Sequence, residues 1–160
     1  FTPRVGRMGH RIHKQKMANP KEADTARLWE GLTRAHNVMT AALEKDMLPS
    51  AGIEHGWFEV LNHLTRAPGG ILRFQELAKV SGITDSGASR RLDQMIKAGL
   101  IERQDCPTDR RGAFAHITAQ GKAAHKRAHA VFMRSLARNL GRVLSPDEAD
   151  SLRTVLERLA

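Results

Sequence analysis

Ser86, Gly87, Ser89, Arg90 and Gln94 stand close together in a stretch with helical periodicity. On a helical wheel centred on Leu92, Ser86, Gly87, Arg90, Gln94 and Lys97 point away from the apolar side, with Ser89 and Asp93 at its flanks. That face is polar, small at its N-terminal end and cationic along its length. Small residues let a backbone approach a polyanion, the helix dipole favours phosphate at that end, and an arginine can bond a guanine edge bidentately. The chemistry this pattern suits is the reading of duplex DNA. On an isolated helix the same face would be ordinary solvated surface, so its neighbours decide the matter. Arg91, about 100° from the core direction, is placed to reach either a phosphate or solvent.

Other reactive side chains organise nothing. His125 and His129 sit one helical turn apart, but two ligands do not make a metal site, and no cysteine or carboxylate cluster completes it. Cys106 is the single cysteine, which rules out an intramolecular disulfide framework, suits a reducing compartment and reads as a small strand-end residue. There is no glycine-rich phosphate loop, nucleophile elbow, metalloprotease pair or paired acid and base. The expectation is a non-enzyme with no cofactor and no metal.

The elements that must position the polar face follow from periodicity and punctuation. A long amphipathic helix is expected from Asp24 to Met47, with Leu28, Leu32, Ala35, Met39 and Ala42 as its stripe, broken by Pro49, Ser50 and Gly52. A second follows from about Glu54 to Arg66 with Trp57, Val60, Leu61 and Leu64 inward, then the turn Ala67-Pro68-Gly69-Gly70. A short third helix, Phe74 to Val80, stops at Ser81-Gly82. A fourth is capped by Thr84, turns Ala88, Leu92, Met95 and Ile96 inward, and ends at Gly99. Two short helices around a tight turn make a helix-turn-helix. Leu100 to Cys106 and Ala113 to Thr118, joined by a turn from Pro107 to Gly112, read as a two-stranded hairpin, the wing. Thr118 caps a fifth helix reaching about Leu140, with Ala124, Ala128, Val131, Phe132, Ser135 and Leu136 along its less polar side, and Gly141 ends it. Ser145-Pro146-Asp147-Glu148 opens the sixth as a capping box, continuing through Leu152, Val155, Leu156 and Leu159.

The fold class is therefore mainly α with a small β wing: helix, helix, a short strand before the third helix, helix-turn-helix, hairpin, helix, helix. Residues 53–118 form the winged helix-turn-helix, and residues 22–52 and 119–160 supply helices with more apolar stripe than a small reader can bury. A second copy is the natural cover, and a two-fold dimer presents two recognition helices to successive major grooves.

Composition agrees. A formal charge of +9 and a pI near 10.6 favour a polyanionic partner, while 4% aromatics and no tyrosine leave little for stacking on single strands. Arg4, Arg7, Arg11, Lys14, Lys16 and Lys21 lie in residues 1–21 with no acidic residue among them, a basic tail without helical periodicity. Met8 and Met17 are candidate natural starts, so part of the tail is expected to be foreign to the natural chain. With no bilayer-length apolar run and no apolar core of a secretory signal, the expected location is cytoplasmic.

Residues 71–121 resemble the MarR-family reader throughout, from the Glu76-Leu77-Ala78 of the third helix to Thr118-x-x-Gly121 after the wing. The most specific element is Asp109-Arg110-Arg111-Gly112. Trp57-Phe58-Glu59-Val60-Leu61 followed by Ala67-Pro68-Gly69-Gly70 is similar to one subgroup, which usually has tyrosine where Phe58 stands. Arg91, where an apolar residue is usual, and Phe74, near a usual small polar cap, depart from the pattern. The resemblance implies that Arg111, with Arg110 beside it, serves the DNA-binding wing, Arg111 reaching into the minor groove while Asp109 holds the loop. It also implies an effector pocket between the dimerisation and DNA-binding parts, for which His36, Trp57, Phe58 and His63 are candidates, although core packing explains them as well. The peroxide-sensing relatives carry their reactive cysteine near the first helix with tyrosine support; this chain has neither. The implied function is a sequence-specific transcriptional regulator, more often a repressor, binding a palindromic operator as a homodimer and released by a small molecule. The alternative is an architectural DNA-binding protein without an effector, for which the basic tail is the best argument. An enzyme that keeps its winged helix only for dimerisation would need a cofactor-binding domain that this sequence does not contain.

Overall fold

A computed structural model describes residues 20–80, 85–106 and 109–159. The chain divides into two compact units, Phe1–Ala35 and His36–Ala160. The boundary falls inside the first helix, α1 (Pro20–Ala51), and the described residues of the first unit are all helical.

α1 is longer at both ends than the stripe from Asp24 to Met47 suggested. It begins at Pro20, whose fixed φ and missing amide suit a first helical position. It also runs through Pro49 instead of breaking there. Proline clashes with the turn before it and removes one amide, so a helix about to stop tolerates it near its end. The Gly52 amide still donates to the Leu48 carbonyl at 3.0 Å. In the second unit the buried residues of α1 are Leu43, Met47 and Ala51, one turn apart, whereas the expected stripe leaves Leu28 and Leu32 exposed.

α2 (His55–Arg66) buries Phe58, Val60, Leu61 and Leu64 and packs on α5 and β3. A one-turn 3-10 helix, Pro68–Gly70, leads into β1 (Ile71–Arg73). α3 (Phe74–Val80) and α4 (Asp85–Lys97) pack together, burying Leu77 of α3 and, as the spacing predicts, Ala88, Leu92 and Met95 of α4, with Ile96 half-buried. The expected stop and cap at 81–84 lie outside the described residues. In front of Phe74 stands Arg73 and not a small polar residue, and Glu76 Oε2 accepts the Arg73 amide at 3.0 Å, the half of a capping box that the glutamate supplies. Gly99, at φ +69°, turns the chain off α4 while the Leu100 amide bonds the Met95 carbonyl at 3.0 Å.

β2 (Ile101–Cys106) and β3 (Asp109–Ile117) form the hairpin, in an antiparallel sheet of order β1-β3-β2. The pairing jumps from Asp105↔Ala113 to Cys106↔Asp109. Residues 109–112, expected in the turn, therefore belong to β3, and 110–112 lie between two consecutive pairings as an enlarged bulge. Such an irregularity bends a strand and re-aims its side chains.

α5 (Ala119–Asn139) and α6 (Pro146–Leu159) complete the chain. The Ser145 amide donates to Glu148 Oε2 at 2.8 Å and the Glu148 amide to Ser145 Oγ at 3.4 Å, the reciprocal capping box read from the sequence. The Ser145 amide, and after it the Ser145 hydroxyl, which donates to the same Oε2 at 2.8 Å, hold the Glu148 carboxyl below its ordinary pKa. Ser135 Oγ donates to Asp46 Oδ2 at 2.6 Å and Arg138 pairs with the same carboxylate, tying α5 to the end of α1. No described helix is long and apolar enough to cross a membrane.

Candidate nucleic-acid interface

The candidate recognition surface is built on α4. Because Ala88, Leu92 and Met95 are fixed in the core, Gly87, Ser89, Arg90, Asp93, Gln94 and Lys97 are all exposed, as the wheel predicts. The Ser86 side chain lies outside the described residues. Ser89 also lines a cavity of about 190 Å³ between α3 and α4, with Phe74, Gln75, Ala78, Ala88 and Leu92. Arg91 is half-buried, and its guanidinium lies against Gly56 at the start of α2, where an added Cβ would come within 2.7 Å of its Cζ.

Two corners hold the wing against the reader. Thr118 Oγ1 accepts the Gly121 amide at 2.9 Å and reaches the Gly99 carbonyl at 2.7 Å and the Leu100 carbonyl at 3.1 Å. A Cβ at Gly121 would stand 2.1 Å from the Leu100 carbonyl oxygen, so only glycine lets the start of α5 lie against the start of β2. This gives the Thr118-x-x-Gly121 spacing its physical reason. The backbone of Asp109, Arg110, Arg111 and Gly112 belongs to β3, at the bulge near the hairpin end; their side chains lie outside the described residues. Two exposed cations were not singled out from the sequence. The Arg73 guanidinium sits 5.2 Å from the Phe114 ring and that of Arg103 5.5 Å from the Phe74 ring. Arg73 faces Phe114 across the β1–β3 ladder, a pairing no linear pattern displays.

The four effector-pocket candidates are dispersed: His36 is exposed, Trp57 and His63 are half-buried, and Phe58, 1% exposed, is core. Phe58 instead centres an aromatic cluster between α2 and α5. Its ring stacks on His125 at 5.4 Å and 4° and meets Phe132 at 4.8 Å, with His55 and His129 further out. His125 Nε2 lies 3.1 Å from Asn62 Oδ1. Burial pushes the His125 pKa below its ordinary value, helped by His129 and Arg66. Its contact with His129, 5.8 Å between ring centres, gathers no third donor, and among the described residues no group of three could hold a metal. Cys106 closes β2, a strand end as expected.

Comparison with known proteins points one way. The family model for the MarR family matches residues 51–112. The HTH-type transcriptional repressor Rv2887 of Mycobacterium tuberculosis is 31% identical over 137 residues, 86% of this chain and 96% of that protein. The HTH-type transcriptional regulator TcaR of Staphylococcus aureus is 28% identical over 123 residues, 76% of this chain and 79% of that one. Among solved structures, Sco3205 of Streptomyces coelicolor, a MarR family transcriptional regulator in complex with DNA, superposes with a TM-score of 0.77 at 27% identity, covering 89% of this chain and 87% of that one. AbsC, from the same organism, gives 0.75 at 26% identity, covering 89% and 93%.

Proposed function

This chain belongs to the MarR family of transcriptional regulators, and from that premise we propose that it is a repressor which binds a palindromic operator as a homodimer and leaves it when a small molecule binds. The observation that carries the reading is the outer face of α4, where Gly87, Ser89, Arg90 and Gln94 are exposed while the opposite side is locked into the core. A helix so anchored can enter a major groove, arginine meeting guanine and glutamine meeting adenine. Ser86 opens the same face and Arg110 and Arg111 serve the wing, with Asp109 as its support. The complex of Sco3205 with DNA supports duplex DNA as the ligand.

In this reading residues 53–118 read DNA, and residues 22–52 and 119–160 dimerise. Release by a small molecule requires that the ligand bind one spacing of the two readers better than the other. His36, Trp57 and His63 are the candidate positions open enough to meet such a ligand, while Phe58 is core packing against α5.

Selection of bound duplexes from a random pool, followed by footprinting, tests the proposal. One short two-fold symmetric site is the expected result. Even coverage of any duplex would instead favour an architectural role, in which the charges of residues 1–21 supply sequence-independent affinity.

A further inference from the structure

We propose that Arg91 is a second DNA contact of the recognition helix, a phosphate anchor, and that Gly56 of α2 is the seat that aims it; the proposal rests on the DNA-binding reading above. A Cβ built on Gly56 would lie 2.7 Å from Arg91 Cζ, 2.9 Å from Nη2 and 3.0 Å from Nη1. Three nearly equal distances mean that the guanidinium plane lies face-on over the glycine. Stacked that way, the group keeps its N–H edges pointing outward in its own plane, the geometry in which a guanidinium grips a phosphate.

Among the described residues nothing uses those edges: no hydrogen bond or ion pair engages Arg91, and the first turn of α2 carries no acidic residue. Arginine cannot shed its proton, so N–H edges left without a partner among the described residues are available to an external anion. Its position on α4 is one residue from the exposed Arg90, about 100° around the helix. A side chain flanking the groove-facing stripe of a recognition helix meets the wall of the groove, which is phosphate. Gly56 also needs a reason to be where it is, since glycine inside a helix is weaker than alanine. Any Cβ there would occupy the place of the guanidinium, and the far end of the arginine would be the part to move.

The test uses the full chain, the duplex it selects, and binding measured across a range of salt concentrations. Arg91→Ala should weaken binding about tenfold per half-site and make the slope of log affinity against log salt shallower by about 0.9 per half-site, with the preferred sequence unchanged. Arg91→Lys, which keeps the charge, should retain the slope. Gly56→Ala should reproduce a large part of the loss with Arg91 still present, and Gly56→Ala combined with Arg91→Ala should be no weaker than Arg91→Ala alone. An unchanged salt slope in Arg91→Ala, or strict additivity of the two losses, would overturn the proposal while leaving the regulator reading intact. A parent chain that binds no duplex would overturn both.

Discussion

Arg90 and Arg111 are both arginines of the reader, yet they should fail differently. Arg90 projects from the exposed face of α4, the face that in the proposed reading enters a major groove, where a guanidinium meets base edges. Arg90→Ala should cost about 1 to 3 kcal/mol per half-site and relax preference at one symmetric pair of positions. Arg111 belongs to the bulged end of β3, and a minor groove offers a degenerate pattern whose potential follows its width. Arg111→Ala should weaken binding broadly and blunt any preference for flanking A·T tracts; a panel of operator variants at two salt concentrations separates the two patterns. His125 carries a prediction about pH. Its folded pKa lies below the ordinary value of 6.5, chiefly through burial. The unfolded chain therefore takes up the proton first, so the contribution is fully present above about pH 6.5 and is lost as pH falls toward the folded pKa. Thermal melts should show a falling midpoint between pH 7.5 and 5.5, and His125→Gln should flatten that dependence; parallel curves for variant and parent would refute it.

At the scale of elements, the junction between the wing and α5 is the most constrained point. Thr118→Ala removes a cap and should cost about 1 kcal/mol. Gly121→Ala should cost more, about 1 to 3 kcal/mol or above, because the atom in its way, 2.1 Å off, is the Leu100 carbonyl oxygen and not a side chain that can swing aside. Urea unfolding of the two variants gives the order directly. This junction was legible as a motif but not as a distance, and the same division holds elsewhere. Periodicity located the buried residues of α4 and α5, and cap chemistry located the start of α6, because both signals are local. The inward position of Phe58 beside half-buried Trp57 depended on α5 supplying His125 and Phe132 across from it. In α1 the apolar pattern names Leu28 and Leu32, yet Leu43, Met47 and Ala51 are the buried residues, since a stripe does not say which of its turns finds a partner within its own chain. The inclusion of Asp109–Gly112 in β3 turned on a cross-strand register that no one-strand pattern contains.

For the whole molecule, the decisive question is what covers α6. None of its residues is buried, yet Leu152, Val155, Leu156 and Leu159, 37, 48, 44 and 70% exposed, form one stripe along it. Leu140 and Val143, in the connection before it, are exposed too. The helix is independently capped by Ser145 and Glu148, so a preformed apolar face is offered outward. Such a face marks an interaction surface, and a two-fold pairing satisfies it in both copies at once. The parent chain should therefore sediment as a dimer at micromolar concentration. Leu152→Glu combined with Leu156→Glu would bury two charges per copy in that seam, costing several kcal/mol unless the helices separate. Because α6 contributes nothing buried to its own chain, the variant should keep the circular dichroism of the folded reader while sedimenting as a monomer. Its operator affinity should fall on the order of 100-fold or more, since the second half-site is then no longer presented at high effective concentration. A folded monomeric parent would overturn the homodimer, whereas a doubly charged variant that remains dimeric and binds the operator as tightly as the parent would place the seam elsewhere than on α6.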